Sequence, residues 1–237
     1  MILFTSLLLL QACCVFANTE KVIFIGPSSL QVPAAHPTLE DLQLESISPK
    51  HWALRTHVQA EFPTNSSRYG QTSWYLLDKL QEGQRYEVRI CWAATQPTSF
   101  RLDTFDLPTV FETPELITSL AQYSETRQTE VMEDLQPMES QGEKNSKVHD
   151  EVSSTLFLRV FAAADYFTTN KTLMEQVPPV YVDIILDPFI FNIFPRSLVP
   201  TAAYIMLIAI GSWYLAKYIS SWINALPNEE TLQKKKQ

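Results

Sequence analysis

Leu80-Gln81-Glu82-Gly83-Gln84-Arg85-Tyr86-Glu87-Val88-Arg89-Ile90-Cys91-Trp92 carries the cleanest alternation of apolar and polar residues in the chain. A period of two is what a half-buried strand requires, because successive side chains leave a strand on opposite faces. Tyr86, Val88, Ile90 and Trp92 therefore share one face, and Arg85, Glu87, Arg89 and Cys91 share the other. Cys91 is thus expected to point away from the large apolar side chains. Working outward, the longest alternating run is Trp52, Leu54, Thr56, Val58, Ala60 and Phe62. Further strands are expected at residues 22–25, 42–47, 73–77, 100–105, 155–161 and 180–186, with prolines mostly between them.

Leu80 to Ile90 resembles the penultimate strand of fibronectin type III domains, in which a Tyr ahead of the alternating residues makes a tyrosine corner. A plain domain of that family ends one strand later, near Phe105, whereas here two strands are still to come. The expected fold is mainly β: an antiparallel β-sandwich, Ig/fibronectin III-like or jelly-roll, over residues 18–187.

Residues 1–17 read as a signal peptide, with an apolar run from Leu7 to Leu10 and Val15-Phe16-Ala17 ahead of the cleavage point. Residues 198–216 read as a transmembrane helix, since about 20 apolar residues cross a bilayer core of about 30 Å. Trp213, Tyr214, Tyr218 and Trp222 form an aromatic belt at its far side, beside Lys217. A single-pass type I topology follows, with a lumenal amino terminus and residues 217–237 as a cytosolic tail. In that tail Lys234 and Lys235 stand four and three from the end, the positions of a dilysine retrieval signal, which the COPI coat reads. The expected location is the endoplasmic reticulum membrane.

In this topology Asn65-Ser66-Ser67 and Asn170-Lys171-Thr172 are lumenal sequons, so Asn65 and Asn170 are candidate glycosylation sites. Between the sandwich and the helix, residues 188–197 hold Pro188, Phe189, Phe191, Phe194 and Pro195, more apolar than a lumenal linker needs to be. These five are candidate contacts with a membrane partner; the other reading is an interfacial segment held on lipid by its phenylalanines.

Of 18 Lys and Arg, four lie beyond residue 216, and of 26 Asp and Glu, two do, which leaves residues 18–196 with 14 basic and 24 acidic side chains, a net charge of −10. Nucleic acid is a poor partner for such a surface, because like charges repel. Cys13 and Cys14 leave with the signal peptide, so Cys91 has no internal cysteine to pair with; it is either a small buried residue or a link to a partner. A short helix is expected at residues 114–123, with Pro114 at its start and Leu116, Ile117 and Leu120 on one side. Residues 124–154, rich in Glu, Gln, Ser and Lys, read as a disordered acidic insertion.

No catalytic constellation stands out, and neither a cofactor nor a metal site is expected. The chain has only five glycines and no phosphate-cradling loop among them. His51 and His57 lie six apart on one strand face, too far to share a metal, and read as exposed sheet-face histidines. Asp103 and Asp106 read as turn residues after a strand and not as a carboxylate pair.

A signal peptide, one lumenal β domain with the Tyr86 to Trp92 strand, a Pro and Phe rich approach to one span, and a dilysine end together resemble the fungal GPI mannosyltransferase II co-activator family. The resemblance implies a non-catalytic subunit of the complex that adds the second mannose to the glycosylphosphatidylinositol precursor. Its partner would be a polytopic GPI mannosyltransferase catalytic subunit that uses dolichol-phosphate mannose. No functional residues carry over from the family. The alternatives are an accessory subunit of the first mannosyltransferase and a lumenal cargo adaptor or chaperone.

Overall fold

The structure is a computed structural model that describes residues 18–31, 39–134 and 152–224. The chain forms two units, Met1–Ile193 and Phe194–Gln237. In the first, the described residues form nine strands in two sheets: β1 (Thr19–Ile25), β2 (Leu30–Gln31), β3 (Ser46–Ile47), β4 (Ala53–Val58), β5 (Gln71–Leu80), β6 (Arg85–Trp92), β7 (Thr98–Asp106), β8 (Val152–Ala164) and β9 (Val180–Ile190).

The Tyr86 strand, β6, sits between the first and the last strands of the unit. It pairs antiparallel with β1, Val22 opposite Val88, and with β9, Val88 opposite Leu186. Strand β4 closes this sheet on the far side of β9, giving the order β1-β6-β9-β4. In the second sheet β8 is central, with β5 on one side and both β7 and the short β2 on the other, and β3 adds to β5 in parallel. One face of each sheet meets the other in a shared core. Val58, Tyr86, Val88, Ile90, Val182, Ile184 and Leu186 come from the first sheet, and Tyr75, Leu77, Phe100, Leu102, Leu158 and Val160 from the second. The expected sandwich is therefore present. Its strand order differs from the immunoglobulin pattern, which seats the tyrosine strand in one sheet with its successor; here β7 leaves for the other sheet and β9 takes the place beside β6. The structure does not assign the sandwich to the Ig/fibronectin III-like or jelly-roll type.

The tyrosine corner forms. Tyr86 is buried, its ring stacks on Phe24 at 5.7 Å, and its hydroxyl accepts the Gln81 backbone N–H at 3.0 Å. Burial raises the phenol's pKa above its ordinary value, and the Gln81 bond opposes that shift. A buried N–H left without an acceptor costs stability, so the bond fixes the β5–β6 turn to the strand that follows it.

Three expectations need correction. The strand expected at residues 42–47 is only Ser46–Ile47, because Leu39–Leu42 form a 3-10 turn and Gln43 takes a left-handed φ of 53°. The helix expected to end at residue 123 continues as α2 (Pro114–Asp134), after α1 (Leu107–Glu112), so residues 124–134 are not a disordered insertion. The Ser124 hydroxyl donates to the Leu42 carbonyl at 2.9 Å, Gln128 Nε2 donates to the Asp41 carbonyl at 3.1 Å, and Arg127 lies 3.8 Å from Glu45. These tertiary partners order a segment whose composition alone supplies little burial. Residues 152–154 belong to β8, and residues 135–151 of the expected insertion lie outside the described residues.

Thirdly, β9 runs to Ile190, so Pro188 and Phe189 belong to the sandwich and not to a juxtamembrane segment. Pro188 lies two residues past Leu186, whose backbone N–H bonds to the Trp52 carbonyl just before β4.

Helices α1 and α2 pack on the outer face of the second sheet, where Leu107, Val110, Leu116 and Leu120 meet Trp74 and Phe157. A short helix α3 (Lys171–Glu175) precedes β9. The second unit holds α4 (Val199–Asn224), longer than the expected 198–216. With its preceding turn it is the one described helix long and apolar enough to cross a membrane, and its 26 residues reach about 39 Å at 1.5 Å per residue. Residues 1–17 and 225–237, with the expected signal peptide and Lys234 and Lys235, lie outside the described residues.

Candidate functional site

The face of the β1-β6-β9-β4 sheet that looks away from the core gathers charge on a β framework. Registers Arg89↔Ile185, Cys91↔Asp183 and Arg55↔Asp183 place these side chains together, because alternate residues of paired strands share a face. Arg55 grips Asp183 with two bonds, Nε to Oδ1 at 2.7 Å and Nη2 to Oδ2 at 3.0 Å. The guanidinium hydrogen bonds hold the Asp183 carboxyl below its usual range, and the carboxylate in turn raises Arg55. Both are open to water, so the pair defines charge more than stability. His57 packs against Tyr181 with ring centroids 4.9 Å apart. Glu87 is buried and takes Lys21 at 3.2 Å and Arg89 at 3.7 Å.

Cys91 lies on this same face, opposite Tyr86, Val88 and Ile90, as the alternation predicts. It is a free thiol, half-buried, with the Thr19 hydroxyl 3.5 Å from its sulfur. His57 is exposed in β4 and His51 is exposed before it. Among the described residues no group of three His, Cys, Asp or Glu side chains is placed to hold a metal ion.

Asp103 and Asp106 require a correction, since both lie within β7. Asp103 is bound by Arg159 at 2.8 Å and flanked by Arg101 at 3.5 Å, while Asp106 sits at the N-cap of α1 without a side-chain cap bond. The Arg159 guanidinium lies over the rings of Phe105, Phe161 and Trp74 at 4.8, 4.6 and 5.7 Å. The Arg159–Asp103 pair joins β8 to β7 across the sheet face. At the end of the second sheet Arg68, Tyr69, Arg101 and Asp165 line an open cavity of about 270 Å³. The Arg101 guanidinium lies 4.6 Å from the centre of the Tyr69 ring and partly fills this space.

The candidate partner contacts separate into groups. Phe189 is buried and lies under the Arg85 guanidinium, 5.9 Å from its ring centre, so it serves the domain's own packing. Pro188 pairs with Tyr86. Phe191, by contrast, is 90% exposed and begins a tight turn in which Phe191 and Asn192 both hold left-handed φ angles, 51° and 58°. Phe194 and Pro195 open the second unit; Phe194 is half-buried, and Pro195 is buried and so presents no surface to a partner.

Sequence reasoning missed Asn192, which fixes this turn: its Oδ1 accepts the Arg85 backbone N–H at 2.8 Å and its Nδ2 donates to the Gly83 carbonyl at 2.9 Å. The signal was an Asn inside an apolar run, since Asn is among the residues that tolerate the left-handed region.

Asn65 and Asn170 are both exposed. Asn170 caps α3, its Oδ1 accepting the Thr172 N–H at 3.1 Å, so the amide nitrogen that a glycan would join stays out of that bond.

These observations define a class: a two-sheet β domain with a charged outer face, in a chain that also carries a long apolar helix. Residues 8–123 match the model of the Pga1 family, described as GPI-mannosyltransferase II co-activator. The chain resembles that family, and the match supports a co-activator role in GPI mannosylation in general. The search of curated proteins finds no match, and neither does the search of solved structures.

Proposed function

We propose that this protein is a non-catalytic subunit of the GPI mannosyltransferase II complex, anchored in the endoplasmic reticulum membrane by α4 with its β domain in the lumen. The observation that carries the reading is the family match over residues 8–123. A lipid-linked donor and a lipid acceptor require a site built among several membrane helices, and α4 is the one described helix apolar and long enough to span. The subunit supports a polytopic catalytic partner. Phe194 and α4 contact that partner's spans, and Lys234 and Lys235 return the complex through the COPI coat.

Depletion of the protein, followed through mannose-labelled glycolipid precursors, tests this reading. Build-up of the one-mannose intermediate is the expected result. An unchanged lipid profile would remove the protein from the pathway and favour a lumenal adaptor, and build-up of the mannose-free precursor would move it to the first mannosyltransferase.

In the same reading Asn65 and Asn170 carry glycans, for which their exposure leaves room. Endoglycosidase treatment of the native protein is expected to increase its mobility in two steps, one lost with each Asn→Gln variant. A chain that does not shift at all carries no such glycans.

A further inference from the structure

The exposed turn at residues 191–193 marks one end of the β1-β6-β9-β4 sheet. By register, Ile25 pairs with Arg85 and Tyr86 with Pro188 at this end, while Val58 pairs with Val180 at the other, so the eleven residues of β9 separate the two ends by about 35 Å at 3.3 Å per residue. Both sequons belong to the far end. Asn65 lies between Val58 and the first residue of β5, and Asn170 lies between β8 and β9, where Glu61 bridges to Ala163. At the near end Ile25 is 58%, Phe191 90% and Ile193 72% exposed.

We propose that this end is a lipid-contacting tip: Ile25, Phe191 and Ile193 insert into the lumenal leaflet of the membrane that α4 spans. The inference rests on the reading of α4 as a spanning helix and adds to it a second, independent membrane contact made by the domain itself. Three observations carry it. The first unit ends at Ile193 and α4 starts only six residues later, so the chain between the tip and the spanning helix is short. The turn is also rigid, because Asn192 ties it to both Arg85 and Gly83, so Phe191 and Ile193 reach the leaflet already ordered. Finally, Arg85 lies just behind the apolar tip, over Phe189, with Glu82 exposed in the neighbouring turn and held by the Ser29 N–H, and the candidate carbohydrate acceptors lie at the opposite end.

Phe167 supplies the control. It is 86% exposed, about as open as Phe191, yet it lies at the end that holds Asn65 and Asn170.

The protein, purified alone and reconstituted in phosphatidylcholine nanodiscs with Cys91 replaced by serine, is labelled with an environment-sensitive fluorophore at Phe191→Cys, Ile193→Cys, Phe167→Cys or Tyr204→Cys. Doxyl-labelled lipids then report contact with acyl chains. The expected result is a blue-shifted emission and loss of fluorescence at positions 191, 193 and 204, with neither at 167. Two variants at the tip keep the test decisive if one misfolds. Quenching at 204 without quenching at 191 or 193 overturns the tip and leaves the spanning helix intact, so the two readings fail separately. Quenching at 167 equal to that at 191 also overturns it, because the domain would then lie on its side. Loss of quenching at 204 as well overturns both readings.

Discussion

Replacing Trp74 by Ala will lower the stability of the β domain by about 3–5 kcal/mol, the usual cost of removing a fully buried large aromatic. Trp74 is wholly buried on the outer face of the β7-β8-β5-β3 sheet, with its ring centre 6.1 Å from Phe157 and 6.2 Å from Phe105. Its indole N–H donates to the Ser119 hydroxyl on α2 at 3.2 Å, and Arg159 covers its ring. The substitution therefore removes the main apolar contact that seats α1 and α2, and it leaves a cavity beneath both helices. Thermal unfolding of the full chain in detergent, followed by near-ultraviolet circular dichroism, measures the loss. A drop under about 1 kcal/mol, well below the range such sites display, would show that the site collapses around the gap and that the helices are held elsewhere.

Gly70→Ala will cost a comparable amount by a different route. Gly70 has φ of +76°, and a Cβ there would lie 2.1 Å from the Ala162 carbonyl oxygen and 2.7 Å from the Ala163 Cα. These are backbone atoms of β8, the central strand, so they have little freedom to move. A left-handed residue with a Cβ costs roughly 1–2 kcal/mol, and overpacking adds typically 1–3 kcal/mol, so about 3 kcal/mol is expected. Gly83→Ala separates the two terms, because φ is +72° there and nothing lies within 4 Å of the added carbon. That variant should lose only the conformational part, about 1 kcal/mol. Equal losses at the two positions would show that the close approach of Gly70 to β8 does not matter.

The strands were legible because half-buried strands write their burial into the sequence with a period of two. Tyr86, Val88 and Ile90 face the core and Cys91 faces away, as alternation alone requires. The tyrosine corner was legible too, since it depends on one residue and a turn five positions before it. Misjudgements arose where long-range contacts overrode composition. Residues 124–134 are polar enough to read as disordered, yet Leu42, Asp41 and Glu45 supply partners more than 80 positions away that complete α2. Asp103 looked like a turn residue because nothing local shows Arg159 across the ladder. Phe189 looked like a partner contact because composition does not reveal where a strand stops, and β9 runs four residues past Leu186, the expected end, and buries that ring.

For this protein the sequence alone determined the β class, the face on which each residue of β6 lies, and the existence of one apolar helix near the carboxyl end. Those features depend on local periodicity and on hydrophobic length, which a chain carries in any conformation. The tertiary structure alone decided that β9 pairs with β6, that α2 extends to Asp134, and that Phe189 is buried while Phe191 stands out on a turn locked by Asn192. Each of these depends on hydrogen bonds and packing between segments distant in sequence, and their free energy exists only once the chain has folded.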